Sequence, residues 1–233
     1  MAEKDIVEKT LESYNDVFAD IVNVLLFHGR QVIEEDQLDE STPRSIYKAD
    51  EKLHEQERDV AKYWKDGSSI RIALLGLENQ TLVDQDMPLR ILSYDGAAYR
   101  AQLLNKKAVS RYPVVTLVLY FGYKKRWDKS LNLLDCLEIP EDFKPYVSDY
   151  KINLFEIAYL EEEQVQMFQS DFKVVADYFV QMRKNHDYIP KPETIDHVQE
   201  TLQLLSVMAG DQRFKEAYNS VGNCETGSGY EPK

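Results

Sequence analysis

The chain has 233 residues, of which 43% are hydrophobic, and its formal net charge is −13. This length suits one domain, or one domain with an appendage, and the hydrophobic content is enough for a sizeable core. No stretch approaches the roughly 18 consecutive apolar residues of a membrane span, and the first residues lack the apolar region of a signal peptide. We therefore expect a cytoplasmic protein with no membrane partner, and the two cysteines fit no zinc-site spacing.

The negative charge argues against nucleic-acid binding, because phosphate neutralisation usually requires a basic face. Binding depends on the distribution of charge, however, and not on its sum. The acidic residues concentrate in 34–57 and 138–163. The basic set consists of Lys106, Lys107, Arg111, Lys124, Lys125, Arg126 and Lys129. This basic set is either a solvated surface or a local patch that faces DNA.

The first part of the chain begins with apolar residues at helical spacing, which predict an amphipathic helix over residues 4–28. Residues 34–45 are acidic and end in Ser-Thr-Pro, which predicts a loop. Residues 46–57 are charged and only weakly patterned.

A hairpin is predicted next. Residues 58–64 alternate as in a strand and carry Asp59 on one face. A turn signal follows, and the apolar run over 70–77 predicts a strand that is buried on both faces. Such a hairpin would bring Asp59 towards Glu78.

The remaining elements follow from the same periodicities. They are a helix over 87–109, a strand over 113–121, a short helical piece over 131–137, a strand over 152–159, a helix over 161–184, a helix over 192–208 and a short helix over 213–218. This order predicts a three-layer α/β or α+β domain. We expect a main domain over 1–185, a C-terminal helical appendage over 186–221 and a disordered tail over 222–233.

The end of the second predicted strand carries the candidate chemistry. Side chains alternate along a strand, so Glu78 and Gln80 point to one side and Asn79 points to the other. Asp59 is a second acid on a segment that is also extended. Two carboxylates at adjacent strand ends form a hard-oxygen site for Mg²⁺ or Mn²⁺. Metal-assisted phosphodiester cleavage uses such a site.

Several segments resemble one known family, the recombination-promoting nucleases (Rpn) of the PD-(D/E)XK type, also called YhgA-like transposases. The segments are Asp59-Val60, residues 76–80, residues 87–95, residues 112–122, Trp127 and residues 149–154. The resemblance covers roughly residues 15 to 215. It implies a restriction-endonuclease-like core, with a central mixed sheet flanked by helices, and metal-dependent cleavage of DNA.

The resemblance also implies roles for single residues. Asp59 and Glu78 would ligate the metal, and Gln80 would occupy the position where many related enzymes carry a lysine. A neutral amide can orient a water molecule but supplies no charge. Asp20 is a third candidate ligand, although a structural hydrogen bond explains it equally well. Arg90 would bind phosphate or pair with one of the two acids.

We therefore predict a Mg²⁺-dependent DNA endonuclease, with Arg90 and the basic set on the DNA backbone. A homodimer is a further expectation, because two sites are needed to cut two strands. The alternative is a catalytically inactive nuclease-like domain that acts as a protein-interaction module, which the charge of −13 and the neutral Gln80 favour. A nuclease that acts on RNA or single strands is a third interpretation.

Overall fold

The computed structural model describes residues 11–41, 44–49, 52–57, 59–65, 71–105, 110–209 and 212–225. The strands are β1 (Leu38–Glu40), β2 (Arg44–Ala49), β3 (Lys52–Glu57), β4 (Val60–Lys65), β5 (Arg71–Gln80), β6 (Val114–Tyr120) and β7 (Asn153–Glu156). The helices are α1 (Asn15–Phe27), α2 (Met87–Leu104), α3 (Glu162–Met167), α4 (Phe172–Asn185), α5 (Val198–Ala209) and α6 (Gln212–Glu225). Short 3-10 turns lie at Glu35–Gln37, Leu133–Cys136, Glu141–Tyr146 and Ile157–Tyr159.

Five strands form one mixed sheet in the order β1-β4-β5-β6-β7, and β2 and β3 form a separate hairpin. The β1–β4 and β4–β5 pairs are antiparallel, whereas β5–β6 and β6–β7 are parallel. Because β5, β6 and β7 run in the same direction, their last residues lie along one edge of the sheet. We call this edge the C-terminal edge.

Helices cover both faces of the sheet. Leu75 and Leu77 of β5 belong to a large core cluster that also contains residues of α1, α4 and α5. On the opposite face, Met87 and Ile91 of α2 pack against Val118 of β6. The fold is therefore α+β with three layers, and the predicted restriction-endonuclease-like class is confirmed.

The N-terminal region differs from the prediction at two points. The helix predicted over 4–28 is interrupted by a turn at 13–14, so that α1 begins at Asn15, and residues 4–10 lie outside the described part. Strand β1 and the start of β2 lie in the segment predicted as a loop over 34–45, and the β2–β3 hairpin occupies most of 46–57. Strand β1 forms because it pairs with β4, and the acidic composition of the segment does not indicate this pairing.

The helix predicted over 161–184 is wrong, because the chain forms α3 and α4 with a break between them. At the break, the backbone N–H groups of Gln169 and Ser170 donate to Asp20 Oδ2, at 2.8 and 2.7 Å. These donors would bond within a continuous helix, so the contact with α1 replaces helical hydrogen bonds.

The helix predicted over 192–208 starts later, at Val198. The N–H groups of Asp196 and His197, just before it, donate to Asp171 at 3.1 and 2.6 Å. This carboxylate accepts donors at the start of the helix in the manner of a cap, but it comes from a distant position in the sequence.

Two further boundaries move. Helix α2 ends at Leu104, and residues 106–109 of its predicted extent lie outside the described part. Helix α6 continues to Glu225, beyond the end of the short helix predicted over 213–218, and residues 226–233 are not described. The domain boundaries stay predictions. Among the described helices, none combines the length and apolar character needed to cross a bilayer.

Gly122 allows the backbone that follows β6 to pass close to the side chain of Tyr120, the last residue of that strand. A Cβ at this position would lie 2.1 Å from the Tyr120 hydroxyl oxygen. The Tyr120 ring cannot swing away freely, because it is 3% exposed and its hydroxyl donates to the Lys125 carbonyl at 3.0 Å. We expect Gly122→Ala to lower the free energy of unfolding by about 1–3 kcal/mol in chemical denaturation. Gly96→Ala is the control, since its Cβ would meet nothing within 4 Å in α2, and it should stabilise by about 0.5–1 kcal/mol.

Candidate active site

The last residues of β5 divide between the two faces of the sheet. Leu77 lies in the large core cluster on the α1 face, so Glu78 and Gln80 face α2 and Asn79 faces α1. Glu78 is 3% exposed. The pairing of Gln80 with Tyr120 places this strand end at the C-terminal edge. Glu78 and Gln80 therefore share one face and Asn79 takes the other, as the alternation along the strand predicts.

Asp59 reaches this strand end from the neighbouring strand. Val60 pairs with Leu77 in the antiparallel β4–β5 register, so Asp59, one residue earlier, lies at the level of Glu78. Residues directly opposite in such a pair have Cβ atoms about 5 Å apart. Asp59 Oδ2 accepts the backbone N–H of Asn79 at 2.7 Å. The hairpin therefore brings the two predicted acids together.

Arg90 of α2 contacts the carboxylate site from the helix that covers this face of the sheet. Its Nη2 lies 2.6 Å from Glu78 Oε1, and its Nη1 lies 3.0 Å from Asp84 Oδ2. Burial acts to lower the pKa of Arg90, but the charge of Glu78 and hydrogen bonds with Tyr94 and Asp84 outweigh it, so the pKa is raised. Of the alternatives for Arg90, the structure shows an ion pair with Glu78.

Tyr94 lies one helical turn after Arg90 and is 7% exposed. Burial raises the pKa of its hydroxyl, and the negative charges of Glu78 and Asp59 raise it further. Both carboxylates therefore act on the same phenol. At neutral pH a tyrosine of raised pKa is a hydrogen-bond donor and not an anion.

Gln80 lies beside Glu78 on the same face, with its Nε2 3.4 Å from Glu78 Oε1. This distance is long for a hydrogen bond, so the contact orients the amide only weakly. The Gln80 carbonyl accepts the backbone N–H of Phe121 at 2.8 Å, which fixes the strand end. The amide can thus turn towards a water molecule or a phosphate without any change in the backbone.

Glu12 is a site-supporting residue that the sequence did not single out. It is 1% exposed, and its Oε2 accepts a hydrogen bond from Asn79 Nδ2 at 2.7 Å. The contact holds Asn79 from the α1 face, while the backbone of Asn79 holds Asp59. Nothing in the local pattern distinguishes Glu12 from the other acids of the helix predicted over 4–28, because its burial depends on its contact with Asn79 of β5.

Asp20 lies elsewhere. Its Oδ2 accepts three hydrogen bonds from residues 169 and 170, and the structure does not bring it to Glu78. Its other oxygen, Oδ1, is buried and accepts no hydrogen bond from the described residues. Burial raises the pKa of Asp20 in spite of the three donors. The structural alternative for Asp20 is the one that the geometry supports.

The predicted basic set is divided between opposite edges of the sheet. Arg111 precedes β6 and is exposed at the edge away from Gln80, and the neighbouring Lys106 and Lys107 lie outside the described residues. Lys124, Lys125 and Arg126 follow β6 and lie at the C-terminal edge, where they are exposed. This second group therefore follows the end of β6, the strand that neighbours β5 at this edge.

The donors of this site suit a small divalent cation. Mg²⁺ is commonly held by one or two carboxylates, with waters and substrate phosphates as the other ligands. Asp59 and Glu78 supply such oxygens. Within the part of the chain that the structure describes, no three or more His, Cys, Asp or Glu side chains are arranged to hold a metal ion. The residues therefore fit a metal shared with substrate, and not an all-protein cage.

Replacement of Arg90 tests the pairing of the buried carboxylate. Arg90→Ala should lower the free energy of unfolding by about 1–3 kcal/mol, because Glu78 loses its charged partner. Arg100→Ala, at an exposed position of the same helix, should change it by less than about 0.5 kcal/mol. In a Glu78→Gln background, Arg90→Ala should cost measurably less. Equal costs for Arg90→Ala and Arg100→Ala in urea denaturation would contradict this pairing.

The raised pKa of Asp20 makes a prediction about pH. A carboxyl whose pKa is higher in the folded state stabilises the fold below its unfolded pKa of about 3.9, and this contribution is lost as pH rises through the folded pKa. The unfolding free energy of the wild type minus that of Asp20→Asn should therefore fall as pH rises from about 3 to 7. Asp142→Asn, an exposed control, should give a difference that does not fall in this way. A difference that rises with pH for Asp20→Asn would refute the assignment.

Comparison with curated proteins and with solved structures gives no match. A family model described as "Putative transposase, YhgA-like" matches residues 63–210. The match includes Glu78, Gln80 and Arg90, and it begins just after Asp59. Because it covers more than half of the chain, the protein belongs to the YhgA-like transposase family.

Proposed function

We propose that this protein is a divalent-metal-dependent DNA endonuclease. The observation that carries the proposal is the convergence of Asp59 and Glu78 on the α2 face of the sheet, at the level where β4 begins and β5 ends. A transposase-type family membership agrees with chemistry on phosphodiesters. Mg²⁺ is the proposed cofactor, and Mn²⁺ would be accepted by the same oxygen ligands.

The two carboxylates would hold the cation together with a phosphate oxygen and waters. When bound, the cation would polarise the phosphoryl group and lower the pKa of a bound water. The buried position of Glu78 keeps this carboxylate in one orientation, and the Asn79 N–H does the same for Asp59. Preorganised ligands of this kind need little rearrangement when substrate arrives.

Gln80 and Arg90 would divide the work that a lysine performs in many related enzymes. The Gln80 amide, beside Glu78, would orient the attacking water or a phosphate oxygen. Arg90 is the cation that the structure places against Glu78, so its guanidinium would stabilise negative charge that develops on the phosphate. Arg90 therefore supplies the positive charge that the neutral Gln80 lacks.

DNA is the proposed substrate, because Lys124, Lys125 and Arg126 lie at the C-terminal edge, just after the strand that neighbours β5. All three are exposed, and Lys124 has no carboxylate partner among the described residues. A homodimer would present two such sites to the two strands of a duplex. Cleavage of RNA or of single strands would use the same chemistry, and a panel of substrates separates these cases.

A second candidate function is an inactive domain that binds other proteins. The Glu78–Arg90 contact favours it, because a carboxylate that is engaged by a guanidinium competes less well for a cation. The net charge of −13 acts in the same direction, since it opposes approach of DNA.

A plasmid assay decides between the two functions. Supercoiled plasmid incubated with protein and Mg²⁺ should be nicked or linearised, and EDTA should prevent this. Glu78→Ala and Asp59→Ala should each reduce the rate by about 100-fold or more, because each removes a ligand of the cation. Glu163→Ala, an exposed acid of α3, should cleave as the wild type does.

Folding of each variant is checked by circular dichroism before the rates are compared. Absence of cleavage by folded wild-type protein with both Mg²⁺ and Mn²⁺ would reject the nuclease in favour of the interaction module. Cleavage that persists in Glu78→Ala would show that another site or a contaminant is responsible.

A further inference from the structure

Two arginines from distant parts of the chain meet on one aromatic ring. The guanidinium carbon of Arg126 lies 4.5 Å from the centroid of the Tyr159 ring, and that of Arg183 lies 5.0 Å from it. Arg126 belongs to the segment after β6, Tyr159 to the 3-10 turn after β7, and Arg183 to α4. The two charges are therefore within roughly 10 Å of each other, about the Debye length at 0.1 M salt.

The positive charge of this cluster is only partly neutralised by the protein. Arg126 is 65% exposed and lies 3.4 Å from Glu156 Oε2, which is a weak, solvated contact. No carboxylate among the described residues pairs with Arg183. The chain has 41 acidic and 28 basic residues, so two neighbouring arginines would be expected to have several acids around them. Among the described residues, Glu156 is the acid in contact with this pair.

Part of Arg183 has a structural role. Its Nε donates to the Ala158 carbonyl at 2.7 Å, which ties the turn after β7 to α4. This bond fixes the side chain but uses a single donor of the guanidinium, and the other four N–H groups point from the same rigid fork. The aromatic ring and this anchor together hold the fork in place, as a pre-organised anion site requires.

The cluster lies at the same C-terminal edge of the sheet as the carboxylate site, on the β7 side. Gln80 pairs with Tyr120, and Tyr120 pairs with Glu156, so the three side chains form a row across β5, β6 and β7. Tyr159 ends the 3-10 turn Ile157–Tyr159 that directly follows Glu156, the last residue of β7, so its ring lies near the end of this row. Two strand spacings separate Gln80 from Glu156, or about 10 Å.

We propose that Arg126 and Arg183, gathered on Tyr159, form a binding subsite for a backbone phosphate of the DNA strand that occupies the carboxylate site. This inference rests on the proposed function and adds a contact on α4 to it. Guanidinium groups bind phosphate through two parallel N–H···O contacts, so two arginines around one phosphate would fix its position.

The subsite is tested by DNA binding in EDTA, where cleavage is prevented. A fluorescent duplex oligonucleotide is titrated with protein at several salt concentrations, and anisotropy gives the dissociation constants. Loss of one phosphate contact lowers the slope of log K against log[salt] by about one. Arg183→Gln and Arg126→Gln should each show this reduction. Arg183→Lys should restore most of the slope, whereas Arg100→Gln, on the exposed surface of α2, should leave it unchanged.

The salt slope separates binding from a structural role, because loss of the Ala158 bond alone would lower the melting temperature without changing the slope. If the wild type cleaves DNA and Arg183→Gln shows an unchanged salt slope, the subsite is rejected and the nuclease assignment is retained. A reduced salt slope in Arg183→Gln supports the subsite. If Glu78→Ala leaves cleavage unchanged at the same time, the nuclease assignment is rejected and the subsite is not. Failure of the wild type to bind DNA overturns the subsite.

Discussion

The candidate site depends on a charge that is buried at the end of the central strand. Glu78 is 3% exposed, and burial of an ionised carboxylate costs several kcal/mol unless charge and hydrogen bonds compensate. Arg90 supplies this compensation from α2, whose Ile91 packs in the apolar cluster beside it. Docking of α2 and burial of the Glu78 carboxylate thus depend on each other. Asp59 is held by the Asn79 N–H, so both carboxylates are positioned by the same contacts that build the core.

The net charge of −13 opposes a DNA-binding role only where the acids are close to the DNA. One group of acids lies around a cavity of about 410 Å³ between α1 and the break before α4, and Glu78 is not among its lining residues. Its acidic lining residues are Asp16, Asp20, Glu34, Glu35 and Asp196. The C-terminal edge instead carries the exposed bases that follow β6, together with the two arginines on Tyr159. Under the proposed function, the C-terminal edge is the side from which the phosphate backbone would approach.

Local signals in the sequence predict the central strands of this fold well, and they predict the breaks between its helices poorly. The apolar run before Glu78 and the alternation after Asp59 specify β4, β5 and their faces, because a strand buried on both sides has few other solutions. The break between α3 and α4 was missed since Asp20, about 150 positions away, takes the backbone donors there. Glu12 and Arg183 were missed for the same reason: their importance comes from partners that only tertiary packing supplies.

Binding of Mn²⁺, followed by the electron paramagnetic resonance signal of the free ion, tests most directly whether Asp59 and Glu78 share one cation. The wild type should show one site, and its affinity should fall by at least about 10-fold in both Asp59→Ala and Glu78→Ala. Asp20→Asn should bind Mn²⁺ as the wild type does, because Asp20 bonds to residues 169 and 170 instead. Equal Mn²⁺ affinity in the wild type and in either alanine variant would contradict a shared site.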